Sequence, residues 1–198
     1  MQQLVFATQN EHKVVEINRL LSDLDGFEAY EVRSLSACGI DEDIPETAET
    51  IEGNAKQKAY HIHEKYGFNC FSEDTGLEVE ALDNAPGIFS ARYAGPQKNS
   101  KDNIKKLLKE LSGQKNRRAR FRTVICLIID QKEYIFEGIV NGNISETESG
   151  ESGFGYDPVF IPDGYESSFA QMDLTQKNQI SHRSVAFSKM IEFLKTQK

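Results

Sequence analysis

Two adjacent runs restrict this chain more than anything else in it. "ARFRTVICLIID" covers 119–130 and "KEYIFEGIVNGNI" covers 132–144, with a tight polar turn between them. Both are rich in β-branched and aromatic residues, and so short a link predicts a long antiparallel pair. Upstream, "QLVFAT" (3–8) reads as a buried strand. It runs into "QNEHKVVEINRLLSDL", where Val14, Ile17, Leu20, Leu21 and Leu24 recur at helical spacing. Asn10 is suited to cap that helix and Gly26 to stop it.

"FEAYEVRSL" is a second strand, followed by an acidic loop, "GIDEDIPETAET". A long helix is predicted from about Thr50 to Tyr66, ended by Gly67. "NCFSEDTGLEVEAL" (69–82) reads as a strand that turns at Asp74-Thr75-Gly76 and re-enters as another. "DNAPGIFSARYAGP" is an irregular loop around a short helix, and "SKDNIKKLLKELSG" is an amphipathic helix. The last helix, "SHRSVAFSKMIEFLKTQK", directs Val185, Phe187 and Ile191 to the core. Helices alternating with strands and a hairpin predict an α/β fold with a central mixed β-sheet and flanking helices.

A chain of 198 residues can form one well-cored domain or two small lobes, and a single domain over 1–198 is expected. Net charge of −8 and a pI near 5.1 exclude a general nucleic-acid binder. The longest apolar run, "VICLIID", is too short to cross a membrane, and the first residues lack the basic region of a signal peptide. Cys38, Cys70 and Cys126 are odd in number, widely spaced and without a CxxC pattern. They read as reduced thiols of a soluble, cytoplasmic protein.

Four segments could carry chemistry. In "ATQNEHK" a strand enters a polar turn that opens a helix, which leaves backbone N–H groups for an anion. Thr8 and Asn10 add hydrogen bonds and Lys13 a charge. An ordinary N-cap followed by a solvated lysine has the same pattern, and a Walker A loop is excluded for want of its glycines and GK[ST] end. In "SEDTGLEV" the adjacent acids Glu73 and Asp74 lie at a strand end with carboxylates directed apart. Such groups hold Mg²⁺ through one or two carboxylates plus substrate phosphates, and Glu46 or Glu49 could add a ligand. A turn with solvated acids fits as well.

In "TQKNQISHRS", Lys177, His182 and Arg183 surround a helix start that Ser181 can cap. Cations there oppose the helix dipole, which makes more sense if a bound anion pairs with them. A surface helix with a basic first turn is the plain alternative. In "SGFGYDP", Phe154 and Tyr156 alternate with Gly153 and Gly155 and are closed by Asp157, which suits a flat ligand with a polar edge. His12, His61 and His63 lack metal-ligand spacing and read as surface residues. GxSxG, HExxH and GxGxxG are absent.

Five motifs in order, "TxNxxK" from Thr8, "EDTGL" at Asp74, "APGIFSARYAG", "GFGYDP" and "KNQISHR", resemble the inosine triphosphate pyrophosphatase family. The likeness runs from Leu4 to about Leu194. It implies two lobes around a deep cleft, a homodimer, and Mg²⁺-dependent hydrolysis of ITP, dITP and XTP to monophosphate and pyrophosphate. The phosphate-gripping loop would be Thr8 to Lys13, with Gln9, Asn10, Glu11 and His12. Asp74, with Glu46 or Glu73, would hold the metal, and Asp74 would accept the water's proton. Thr75 would contact substrate, and Lys13 and Lys177 would neutralise developing charge.

The resemblance assigns base binding to Phe154, Gly155, Tyr156 and Asp157, and further substrate contacts to Lys177, His182 and Arg183. Phe154 and Tyr156 would wall a purine slot. Backbone N–H groups, or Arg183 oriented by Asp157, would donate to the oxygen at C6. Adenine would then set donor against donor, at a cost of roughly 1–3 kcal/mol per group. Gln9, His12 and Ser152 stand where many members have glycine, and Thr75 where serine is common. Two other readings are a related pyrophosphatase with pyrimidine preference and a non-catalytic nucleotide-binding protein.

Overall fold

The computed structural model describes residues 2–22 and 30–197, apart from the side chains of Glu11 and Ser22. Leu24, Gly26 and residues 27–29 of the expected second strand lie outside the described residues. In chain order the elements are β1 (Gln2–Phe6), α1 (Glu11–Ser22), β2 (Tyr30–Ser34), α2 (Ile51–Tyr66), β3 (Cys70–Val79), β4 (Pro86–Gly87), α3 (Ser100–Glu110), β5 (Arg118–Ile129), β6 (Lys132–Ile144), β7 (Phe160–Pro162), α4 (Leu174–Ile180) and α5 (His182–Thr196). The strands form one mixed sheet in the order β2-β1-β3-β5-β6-β7, with β4 paired to β3.

The chain divides into two compact units. The first comprises Met1–Asp74, Thr123–Gly138 and Arg183–Lys198, the second Thr75–Arg122 and Ile139–His182. In the first, β1 runs parallel to both β2 and β3, with Leu4 opposite Val32 and Phe6 opposite Phe71. Side chains of a strand alternate between faces. On β3 this sends Phe71 into a core with Phe6, Ile17 of α1 and Phe187 of α5. The rings of Phe6 and Phe71 stack with centroids 4.6 Å apart. Cys70 and Ser72 point to the other face, where they donate to the carbonyls of Ala59 and Ala55 in α2.

Helix α1 starts as expected. The Asn10 side chain accepts from His12 N and Lys13 N, while Ile17 and Leu20 enter the core. Helix α2 is capped by Thr50, which accepts from Gly53 N, and closed by Gly67 in the left-handed region. The expected break in β3 does not occur. Residues 70–79 form a single strand, and Gly76 is not among the positive-φ glycines. Asp-Thr-Gly signals a turn only where no neighbour supplies a ladder; here β3 is paired with β1 at 70–71 and with β4 at 77–78, lies beside β5 in the sheet, and is buried on both faces, which keeps the backbone extended.

In the second unit, β3 pairs antiparallel with β4 and β6 with β7. Leu77, Ile104, Leu107, Phe121, Phe160 and Phe169 anchor its core. The β5–β6 link, Asp130-Gln131, has both φ values positive (49° and 63°), the conformation of a type I′ hairpin turn. The predicted pairing therefore stands. Strands β4 and β7 and the separate helix α4 went unpredicted, because segments this short carry little periodicity.

Candidate active site

Three side-chain constellations account for nearly all of the expected site residues, two in the first unit and one in the second. The first begins where β1 ends. Thr8 is buried and its Oγ1 accepts from Asn10 N at 3.2 Å. With Asn10 Oδ1 taking the amides of His12 and Lys13, much of the loop's donor capacity is used internally. The expected open nest is correspondingly smaller. His12 is exposed, and the Gln9 side chain donates to the Glu42 carbonyl at 2.9 Å. Glu11 opens α1, with its side chain outside the described residues.

Lys13 is not solvated. Its Nζ lies 3.0 Å from Glu73 Oε1. Glu73 also receives Arg183 Nε at 2.8 Å and Nη2 at 2.9 Å, a bidentate fork, while Arg183 Nη1 donates to Glu16. Arg183 is only 1% exposed. Burial pushes the Glu73 carboxyl up, but Arg183 and Lys13 outweigh that and hold it well below the ordinary range. Burial likewise opposes the Arg183 charge, and Glu73 and Glu16 restore it. Two cations and two anions thus compensate one another. The inference that Arg183 at a helix start implies a bound anion is corrected: the protein supplies the counter-charges, and Glu73 and Glu16 orient the guanidinium.

The second constellation lies on the opposite face of β3. Asp74 Oδ1 accepts from Lys58 Nζ at 3.0 Å and Asp74 Oδ2 from Asn54 Nδ2 at 3.3 Å. The same ammonium reaches Glu46 Oε1 at 2.5 Å. Burial lowers the Lys58 pKa, but Asp74 and Glu46 more than reverse this. Glu46 rather than the exposed Glu49 therefore stands with Asp74. Among the described residues no group of three or more His, Cys, Asp or Glu side chains could hold a metal ion. Two carboxylates converging on one cationic point do fit an ion that takes its remaining ligands from phosphates and water. Thr75 follows on β3 and is half-buried.

Sequence reading missed Asn54, Lys58 and Glu16. A signal for the first two existed. Ile51, Asn54, Ala55, Lys58, Ala59 and Ile62 form the buried stripe of α2, so an amide and a lysine interrupt an apolar face.

The third constellation, in the second unit, closes on itself. Asp157 Oδ2 accepts from Phe154 N at 2.8 Å and from Lys177 Nζ at 2.8 Å. A Cβ on Gly153 would fall 2.1 Å from that oxygen, and Gly153 has φ +77°. Only glycine allows this approach. Gly155 likewise takes a positive φ, +63°. The Lys177 ammonium is 5.2 Å from the Phe154 ring centroid and 5.7 Å from that of Phe169. Phe154 is half-buried.

Tyr156 is a correction. It is 3% exposed, packs in the core of the second unit and donates to the Ser90 carbonyl at 2.9 Å. Its ring is spent on core packing and its hydroxyl on that carbonyl, instead of walling a slot. Lys177 belongs to α4 and is buried against Asp157, which gives this cation a carboxylate partner of its own. His182 is buried and stacks on Phe121 with centroids 4.5 Å apart. His61 and His63, expected on the surface, are half-buried and bonded to Glu42 and to the Phe68 carbonyl.

A family model described as the Ham1 family matches residues 4–193. A protein of Flavobacterium psychrophilum named dITP/XTP pyrophosphatase is 53% identical over 193 residues, covering 98% of this chain and 99% of its own length. One of the same name from Porphyromonas gingivalis is 51% identical, with 98% of each chain covered. The solved structure of the Staphylococcus aureus Ham1 protein superposes with a TM-score of 0.88 at 37% identity, covering both chains completely.

Proposed function

The chain belongs to the Ham1 family, and we propose that it is a nucleoside triphosphate pyrophosphatase acting on dITP, ITP and XTP. Water adds to the α-phosphorus, the bond from that phosphorus to the oxygen bridging to the β-phosphorus breaks, and monophosphate and pyrophosphate leave. Relatives that share half of their residues over the full length bear the corresponding name. Within the molecule, the observation that carries the reading is the convergence of Glu46 and Asp74 on one buried cation.

Asp74 is the proton acceptor in this reading. Asn54 ties down Oδ2, so the carboxylate is held at a fixed rotation with Oδ1 toward Glu46 and Lys58. Mg²⁺, held by Asp74 and Glu46, would supply positive charge to the phosphates. Lys13 and Lys58 add cationic charge from the protein. Base recognition falls to the Phe154–Asp157 segment, with the Phe154 ring as the apolar face and Lys177 beside it. Thr8, Thr75, His182 and Arg183 remain substrate contacts by resemblance. Arg183 acts from within its ion pairs. The same reading has the enzyme working as a homodimer in the cytoplasm, where its three free cysteines stay reduced.

Pyrophosphate release from ITP, XTP, GTP and ATP, with and without Mg²⁺, tests this directly. ITP and XTP should turn over and ATP should lag far behind. Asp74→Asn should lower kcat about 10²–10⁴-fold in a folded protein. Equal rates on ITP and ATP, or an active Asp74→Asn enzyme, would refute the assignment.

A further inference from the structure

Residues 41–49 form an extended strap along α2. Exposed residues at 41, 43, 45, 47 and 49 alternate with half-buried ones at 42, 44, 46 and 48, the two-residue period of an extended chain. Its attachments run antiparallel to the helix. Glu42 meets His61, Lys65 and Tyr66; Glu46 meets Lys58; Thr47 N and Oγ1 bond the Gln57 amide; and Ala48 N donates to Asn54 Oδ1 at 3.0 Å. Asn54, Lys58, His61 and Lys65 fall three or four residues apart, on one helical stripe.

Glu42 is the far anchor of this strap. One carboxylate takes His61 Nε2 and the Tyr66 hydroxyl on Oε1, both at 2.8 Å, and Lys65 Nζ on Oε2. The Glu42 backbone carbonyl accepts from the Gln9 side chain, which ties the Thr8–Lys13 loop to the same point. Four residues along an extended chain, Glu46 reaches Lys58 and thereby Asp74.

We propose that Glu42 is a positioning residue: by latching the strap to α2 it fixes where Glu46 stands relative to Asp74, and through Gln9 it holds the first loop in register with that pair. Catalytic chemistry does not pass through Glu42. The proposal rests on the reading that Glu46 and Asp74 hold the divalent cation, and one arm of its test is independent of that reading.

That arm is amide exchange by NMR in metal-free, substrate-free protein. In Glu42→Ala the amides of Thr47 and Ala48, both bonded to α2, should exchange about tenfold faster than in the parent. Glu42→Gln keeps an acceptor oxygen and should recover part of the protection. Tyr66→Phe, which removes one donor, should produce a smaller change in the same direction. The second arm is kinetic. Half-saturating Mg²⁺ should rise about tenfold in Glu42→Ala, as for lost outer-shell support of a ligand. Nucleotide KM at saturating Mg²⁺ should stay unchanged.

Unaltered exchange at Thr47 and Ala48 would overturn the latch. A lowered thermal midpoint with unaltered Mg²⁺ half-saturation would reduce Glu42 to a structural role and overturn the positioning claim. If parent and variants alike fail to hydrolyse ITP and XTP, the assigned activity falls, while the exchange arm still decides the latch.

Discussion

The two units build their charged sites in opposite ways. In the first, Arg183 meets Glu16 across a sequence separation of 167 and Glu73 across 110, so the network exists only when α1, β3 and α5 are docked. In the second, Asp157 closes on Phe154 three residues away, and a single lysine completes the pair. One site is a product of the tertiary fold and the other of a local turn. Damage should spread through the first and stay confined in the second.

The strongest way to break this contrast is Glu73→Gln. It leaves Arg183 buried with half its compensation and should cost about 3–5 kcal/mol, read as a lower urea midpoint for the whole chain. A loss below 1 kcal/mol would mean that the network is not integral to the fold. Asp157→Asn keeps an acceptor for Phe154 N but takes the carboxylate from the buried Lys177 ammonium, and should likewise cost about 3–5 kcal/mol. Amide exchange should quicken around 153–157 and stay unchanged near Arg183. Equal disturbance at both places would erase the distinction between the units.

Tyr156→Phe deletes a buried hydroxyl bonded to the Ser90 carbonyl and should cost about 0.5–1.5 kcal/mol. It should leave the ITP-to-ATP preference intact, whereas Phe154→Ala should raise nucleotide KM with little change in stability. The reverse result would return Tyr156 to the base slot. The smallest effect concerns Glu42, whose carboxyl Lys65, His61 and Tyr66 draw down to about 2. A depressed carboxylate stabilises the fold above its ordinary value of 4.5 and loses that contribution as pH falls toward 2. Carboxyl NMR titration should therefore show Glu42 ionised at pH 3.5, where exposed glutamates are mostly neutral.

Local features of the fold were readable from the residues. Asn10, Thr50 and Gly67 mark helix ends where predicted, and Asp130-Gln131 forms the expected hairpin turn. Asp74-Thr75-Gly76 misled, because turn chemistry competes with strand pairing and pairing won. The residues assigned by resemblance are drawn from loops, a strand and helices, and their partners were invisible in one dimension. Nothing in "SHRS" says that Arg183 will find Glu73 and Glu16. Lys58 was within reach, since a lysine on the apolar stripe of α2 demands a buried carboxylate.

Neighbouring acids on β3 perform separate duties because a pleated strand sends consecutive side chains to opposite sides. Glu73 serves Arg183 and Lys13 and Asp74 serves Lys58, and neither acid can stand in for the other. A shift of one position would hand each cation the wrong acid and turn Phe71 away from Phe6. Length between Gly67 and Gly76 is therefore under tighter constraint than the identity of most residues within it, and a single inserted alanine there should be more harmful than many substitutions.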